Sequence, residues 1–113
     1  MSASRAVCVL LCALSGGAAA ETLIPRSMAG DRGRYFLIES VRHGAVVQTL
    51  HRRVAPDGTI GFTRAETDCR SMRMRELGYG EGGADRIKLA PTKWFALVAG
   101  SSKSDLARFV CKP

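Results

Sequence analysis

The distribution of the four cysteines constrains the fold of this chain more than any other feature. Residues 1–20 have the organisation of a secretory signal peptide, so two of the cysteines belong to a segment that is removed on export. Cys69 and Cys111 are then the only cysteines of the mature chain, and in an oxidising compartment a single disulfide between them is the default. A loop of about 43 residues closed in this way is worth about 4 kcal/mol in the chain-entropy model.

The leader shows the parts of a signal peptide in their usual order. Arg5 supplies the positive charge, residues 6–14 form the apolar run, and a Ser-Gly-Gly break precedes an A-x-A cleavage site that ends at Ala20. The apolar run of nine residues is about half of what a helix needs to span a bilayer, so no stable transmembrane anchor is expected in the mature form. The mature chain is expected to begin at Glu21 and to be located in the periplasm or at the cell surface.

Charge narrows the range of partners. The chain has 17 Lys and Arg against 10 Asp and Glu, a net charge of +7, and most of the cations are arginines. Guanidinium groups match carboxylates, sulfates and phosphates, so an acidic or polyanionic partner is expected. The alternative is a basic surface whose charges only face water. Nucleic acid is not an expected partner, because the chain is exported and its few aromatic residues are not interleaved with basic ones.

Turn signals at His43-Gly44 and at Ala55-Pro56-Asp57-Gly58 separate segments that are rich in aromatic and β-branched residues, a pattern typical of an antiparallel sheet. The mature chain is expected to comprise an extended leader, 21–33, and a single domain, 34–113. The glycine-rich stretch 78–83 is predicted to be a flexible turn. The predicted strands cover residues 34–41, 45–54, 59–67, 69–77 and 87–89.

The C-terminal segment has the periodicity of a helix. An apolar stripe at i, i+3 and i+4 begins at Leu106, and Asp105 follows Ser102 at capping-box spacing. A helix of about ten residues is not stable alone and must dock on the sheet, where Cys111 ties it to the strand around Cys69. The expected fold is therefore α+β and mainly β, an antiparallel sheet of about five or six strands with a C-terminal helix tied to it by one disulfide.

The strand predicted around the first mature cysteine has two different faces. Met72 and Met74 alternate with Arg73 and Arg75, which places the methionines in the core and the arginines in solvent. Cys69 shares the parity of the arginines. Either a bulge shifts the register, or the disulfide lies on the face opposite the methionines.

Several short motifs resemble those of a known family. In order they are Glu66-Thr67-Asp68-Cys69-Arg70, the basic strand Arg73-Met74-Arg75, Trp94, Gly100-Ser101, and Leu106-Ala107-Arg108-Phe109-Val110-Cys111. This order resembles the small bacterial exported domains grouped with surface-adhesin protein E, over about residues 35–111. The resemblance implies an antiparallel sheet with the terminal helix held against one face by the disulfide. It also implies a cell-surface or periplasmic binding protein with extracellular host proteins among its ligands.

No pattern in the chain indicates catalysis, a metal ion or a cofactor. His43 and His51 lack a third ligand at matching spacing and are interpreted as exposed or loosely packed. The serines have no G-x-S-x-G frame, and no Lys-Ser/Thr follows the glycine-rich stretch. We therefore expect no enzyme and no cofactor. Trp94 is interpreted as a core anchor, with an aromatic ligand contact as the alternative.

Arginines from three neighbouring strands are the best candidates for a binding surface, because cross-strand adjacency would gather them into a basic stripe. The expected function is a non-catalytic, adhesin-like exported protein that contacts an extracellular or envelope protein, or a polyanionic surface, through this stripe. The alternative is a structural or accessory subunit of a periplasmic or envelope complex. The candidate partner-binding residues are Arg52, Arg53, Arg64, Arg73 and Arg75.

The leader generates the first testable prediction. N-terminal sequencing and intact mass of the exported protein should show a chain that starts at Glu21 and carries no lipid, because Leu11 beside Cys12 is not typical of a lipoprotein signal. A diacylglycerol-modified Cys12, or retention of residues 1–20, would contradict this prediction.

Overall fold

One antiparallel sheet and a C-terminal helix make up the part of the chain that this computed structural model describes, residues 21–28 and 30–112. The predicted signal peptide, 1–20, lies outside the described residues. The fold is mainly β, as the sequence predicts. Its elements are β1 (Thr22–Leu23), β2 (Arg34–His43), β3 (Val46–Val54), β4 (Ile60–Asp68), β5 (Arg73–Glu81), a 3₁₀ turn (Ala84–Arg86), β6 (Lys88–Leu89), β7 (Phe95–Ala96) and α1 (Ser102–Val110).

The strands follow one another across the sheet in sequence order from β1 to β5, and both β6 and β7 pair with β5. Every pair is antiparallel, which is the arrangement that short hairpin connections allow. Gly44 and Gly58 occupy the β2–β3 and β3–β4 turns with φ of 63° and 92°. Glycine adopts this backbone region without the steric cost of a Cβ, so the two turn signals of the sequence are confirmed.

The two faces of the sheet are in different environments. Along β4, Gly61, Thr63, Ala65 and Thr67 are buried, whereas the residues between them are only half-buried. The helix α1 packs on the buried side, where Leu106 joins Ala65 in the core. The side of the sheet that α1 covers is called the helix face below, and the other side the open face.

The core is small and includes residues from both ends of the chain. Ile24 is buried beneath α1, and Arg26 forms an ion pair of 2.8 Å (Nε to Oδ2) with Asp105 of the helix. The same carboxylate accepts the backbone N–H of Ser27. Residues 24–27 are therefore docked against α1. The buried core residues are Ile24, Tyr35, Ala65, Met74, Leu106 and Ala107.

The interpretation of residues 78–83 as a flexible turn is wrong, because β5 continues to Glu81. Gly78 and Gly80 are buried within it. A Cβ at Gly80 would overlap the backbone of Arg86, and one at Gly78 would overlap the carbonyl of Lys88. The glycines therefore allow the returning chain to lie against the strand.

The disulfide Cys69–Cys111 is present, with the two Cα atoms 5.4 Å apart. Cys69 lies in the turn after β4 and outside any strand, and Met72 closes this turn at a φ of 54°. The alternation of side chains between the two faces begins only at Arg73, where β5 starts. Counting residues back from the arginines therefore does not show on which face of the sheet Cys69 lies. Because Cys111 caps α1, the bridge lies beside the helix face, on which Met74 is buried.

The predicted capping box of the helix is wrong in its details. Ser101 is the N-cap, and its hydroxyl accepts the backbone N–H of Ser104 at 3.1 Å. Asp105 turns away to Arg26 and Ser27. Burial raises the pKa of Asp105, but the hydrogen bonds from these two residues outweigh it and the pKa is lowered.

The disulfide yields the second prediction. The double variant Cys69→Ser/Cys111→Ser should lose about 4 kcal/mol of unfolding free energy. The reason is that the unfolded chain regains the conformational entropy that the bridge removes by linking two residues 42 positions apart. Denaturant titration of the variant and of the reduced wild type measures the loss. Equal stability of oxidised protein and variant would contradict it.

Candidate functional site

The sheet register divides the five candidate arginines between the two faces. Arg52, Arg64, Arg73 and Arg75 lie on the open face, whereas Arg53 lies on the helix face. Arg52 and Arg53 are consecutive in β3, so they must point to opposite sides of the sheet. The structure therefore brings four of the five predicted residues to one surface.

Arg53 is engaged in holding the N-terminal segment to the sheet. Its Nη2 lies 2.8 Å from Asp31 Oδ1, and its Nε donates to the hydroxyl of Tyr35 at 3.0 Å. The Tyr35 hydroxyl in turn donates to Asp31. Hydrogen bonds from Arg53, Tyr35 and the Gly33 N–H hold the pKa of Asp31 well below its usual range. This network makes Arg53 a structural residue.

Most arginines of the open face have a carboxylate beside them. The N–O distances of these ion pairs are 2.8 Å for Arg52–Glu21, 3.4 Å for Arg64–Glu39 and 2.8 Å for Arg75–Glu66. The expected basic stripe is thus a ladder of alternating charges along the open face. In the central part of the open face, little positive charge is therefore left to attract an anion.

Two arginines without an ion pair lie at the end of the sheet where the disulfide lies. Arg70 and Arg73 are exposed, and within residues 21–28 and 30–112 neither forms an ion pair. The guanidinium of Arg75 lies 5.1 Å from the centre of the Trp94 ring. The group Arg70, Arg73, Arg75 and Trp94 is called the basic corner below.

The interpretation of Trp94 as a core anchor is wrong. Phe95 pairs with Met74 across β5 and β7 and packs against the core, so Trp94, one residue earlier, must lie on the open face. Its side chain remains 37% exposed. The stack on Arg75 therefore presents an aromatic surface to solvent, as the alternative interpretation of a ligand contact requires.

A cavity of about 450 Å³ opens on the helix face at the β3–β4 hairpin end of the sheet. Its origin is a mismatch of lengths, because a nine-residue helix is about 14 Å long whereas a nine-residue strand is about 30 Å long. The helix ends before the sheet does. The residues His51 and Thr63 form the floor, Tyr35 and Tyr79 form the walls, and Ser102 lies at the helix end.

The interpretation of both histidines as exposed or loosely packed is wrong for His51. Its Nδ1 is buried and has no hydrogen-bond partner in the described part of the chain. Burial, with a smaller effect of Lys103, lowers the pKa of His51 to about 4. His43 is exposed and lies on the open face, so the two histidines are on opposite sides of the sheet.

Sequence reasoning missed the cavity, although one signal for it was available. The inward positions Thr49, His51 and Thr63 are polar, and a face covered throughout by an apolar helix would have apolar residues there. The predicted helix was also too short to cover the predicted strands.

No protein-family model, no curated protein and no solved structure matches this chain. The resemblance to the surface-adhesin protein E family therefore rests on its motifs and stays a prediction. Across residues 21–28 and 30–112, no helix is both long and apolar enough to cross a membrane. The same residues contain no cluster of three or more side chains suited to hold a metal ion.

The buried imidazole yields the third prediction. Between pH 6.5 and about 4 the unfolded chain binds a proton on His51 that the folded protein does not bind. The unfolding free energy should therefore be highest above pH 6.5 and fall as the pH is lowered. The loss should approach about 3 kcal/mol, at about 1.4 kcal/mol per pKa unit.

Urea titrations from pH 7.5 to 4 measure this dependence. His51→Asn should flatten the profile over this range, whereas His43→Asn, at an exposed position, should leave it unchanged. The pKa values of Asp31 and Asp105 are lowered in the folded protein. The stability that these two carboxylates contribute is therefore lost only below about pH 4, outside the pH range of the titrations. An equally steep profile in the His51 variant would contradict the prediction.

Proposed function

We propose that the protein is a non-catalytic exported binding protein that contacts an acidic or polyanionic partner through the basic corner. The partner is an extracellular or envelope protein, or a polyanionic surface. The observation that carries this proposal is the exposed Arg73 beside the Arg75–Trp94 stack on the open face of the sheet.

The basic corner has the composition of an energetic centre in a protein interface. Tryptophan and arginine are enriched among the residues that contribute most to binding. A guanidinium group can also donate two parallel hydrogen bonds to one carboxylate. Arg75 is held in place by Glu66 at 2.8 Å and by the Trp94 ring, so binding costs it little side-chain entropy.

The charge pattern favours the corner over the rest of the open face. Ion pairs compensate Arg52, Arg64 and Arg75, whereas the exposed Arg70 and Arg73 form none within the described residues. The carboxylate of Asp68 accepts the backbone N–H groups of Arg70 and Ser71. An acidic partner is therefore attracted to the two arginines at this end of the molecule.

A second candidate function is an accessory subunit of an envelope complex. The observation that favours it is a pair of exposed apolar side chains near the β5 edge, Leu89 at 76% and Val98 at 71%. Apolar contacts of this kind survive high salt, whereas contacts made by exposed arginines are screened. Co-purification at low and high ionic strength distinguishes the two functions.

The fourth prediction concerns the basic corner, with heparin as the polyanion. The variant Arg70→Gln/Arg73→Gln should bind heparin at least about tenfold more weakly, the effect of losing one charge-assisted hydrogen bond. Its unfolding midpoint should stay near that of the wild type, because exposed substitutions usually cost within about 0.5 kcal/mol. Glutamine is preferred to glutamate because Asp68 is the register partner of Arg73.

A matched control separates a local site from the effect of net charge. Arg32→Gln/Arg86→Gln removes the same charge from exposed positions at the opposite end of the sheet. This control should keep near wild-type affinity for heparin. Equal weakening in both double variants would show that net charge alone binds the polyanion and would remove the role of the corner.

A further inference from the structure

The cavity on the helix face belongs to a different surface from the basic corner. Its volume of about 450 Å³ lies within the range of small-molecule sites in proteins. Residues from the N-terminal segment, β3, β4, β5 and α1 all contribute to its lining, among them Ile24, Thr63, Tyr79 and Leu106. These elements are packed against one another in the core, so the cavity is preformed.

Both cations of the lining are already paired. Arg53 Nη2 lies 2.8 Å from Asp31 Oδ1, and Lys103 Nζ lies 3.4 Å from Glu76 Oε2. Each pair is close to neutral as seen from the cavity, so neither cation is free to balance a bound anion.

Two carboxylates of the lining, Asp57 and Glu81, have no cationic partner within the described residues. Asp57 accepts the backbone N–H of Thr59 at 2.9 Å, which keeps the pKa of its carboxyl low and the group ionised. Glu81 accepts the hydroxyl of Tyr79 at 3.3 Å. The charge that remains unbalanced at the cavity is therefore negative, although the chain as a whole is basic.

The uncharged part of the lining suits a compact carbon chain attached to a cation. The ring of Tyr79 offers a face to which cations are attracted, whereas Arg26 and Arg53 already lie 5.1 Å and 5.7 Å from the centre of the Tyr35 ring. Ile24 and Leu106 are both 2% exposed and form the apolar interior. His51 on the floor stays neutral above about pH 4, so it adds no opposing charge.

From this lining we propose that the cavity binds a small organic cation, a guanidinium or primary ammonium group on a short carbon chain. The carbon chain contacts Ile24 and Leu106, and the cationic group lies at the mouth between Glu81, Asp57 and the Tyr79 ring. The positive charge elsewhere on the chain does not prevent this, because salt screens interactions beyond about 8–10 Å.

The test compares a cation, its neutral isostere and a smaller anion on the purified protein. Butylguanidinium is the cation, butylurea is its neutral isostere, and butyrate carries the opposite charge. Backbone amide shifts should move saturably with butylguanidinium at Gly61, Thr63 and Tyr79. Butylurea and butyrate should bind at least about tenfold more weakly.

Matched carboxamide variants locate the charge that is responsible. Glu81→Gln should weaken butylguanidinium binding about threefold to fivefold, the scale of a partly exposed ion pair. Glu39→Gln, on the open face, should leave the affinity unchanged. The proposal is overturned if butylurea binds as tightly as the cation, if Glu81→Gln has no effect, or if the shifts occur at Trp94 in place of the cavity. The ligand comparison uses wild-type protein alone, so it stands even if a variant folds poorly.

Discussion

The packing of α1 against the sheet is the interaction on which the rest of the structure depends. A nine-residue helix has no independent stability in water, so it persists only where tertiary contacts hold it. The disulfide fixes its C-terminal end to the turn after β4, and Asp105 fixes its first turn to Arg26. Leu106, between these two anchors, packs with Ile24 and Met74 in the core. The anchored helix thereby gives the sheet one buried face and one open face.

The positions of the ion pairs, more than the net charge of the chain, determine which surfaces of this basic protein carry a charge that no neighbour balances. Along the open face, Glu21 and carboxylates from β2 and β4 pair with the central arginines and leave Arg73, at the disulfide end, without an ion pair among the described residues. On the helix face, Asp31 and Glu76 neutralise the two cations of the cavity, and the remaining carboxylates make its mouth negative. The two proposed sites thus have opposite sign and lie at opposite ends of the sheet. A partner at the basic corner and a ligand in the cavity would not compete for the same surface.

The features that the sequence determined by itself are those that depend on local pattern or on compartment. Alternation along β4 and the turns at Gly44 and Gly58 predicted an antiparallel sheet, because the period of two and a positive φ are local properties. The pairing of Cys69 with Cys111 followed from their being the only cysteines of the expected mature chain. The apolar stripe of the last segment likewise predicted a helix there, with its end at the disulfide.

Only the tertiary structure decided which side of the sheet each functional residue occupies, because that depends on register and on what covers each face. The separation of Arg52 from Arg53 required knowledge of the face that receives α1. The exposure of Trp94 followed from the pairing of Phe95 with Met74, a contact between residues far apart in sequence. The cavity beside His51 arose because a helix rises about 1.5 Å per residue and a strand about 3.3 Å, so that one short helix could not cover the whole face.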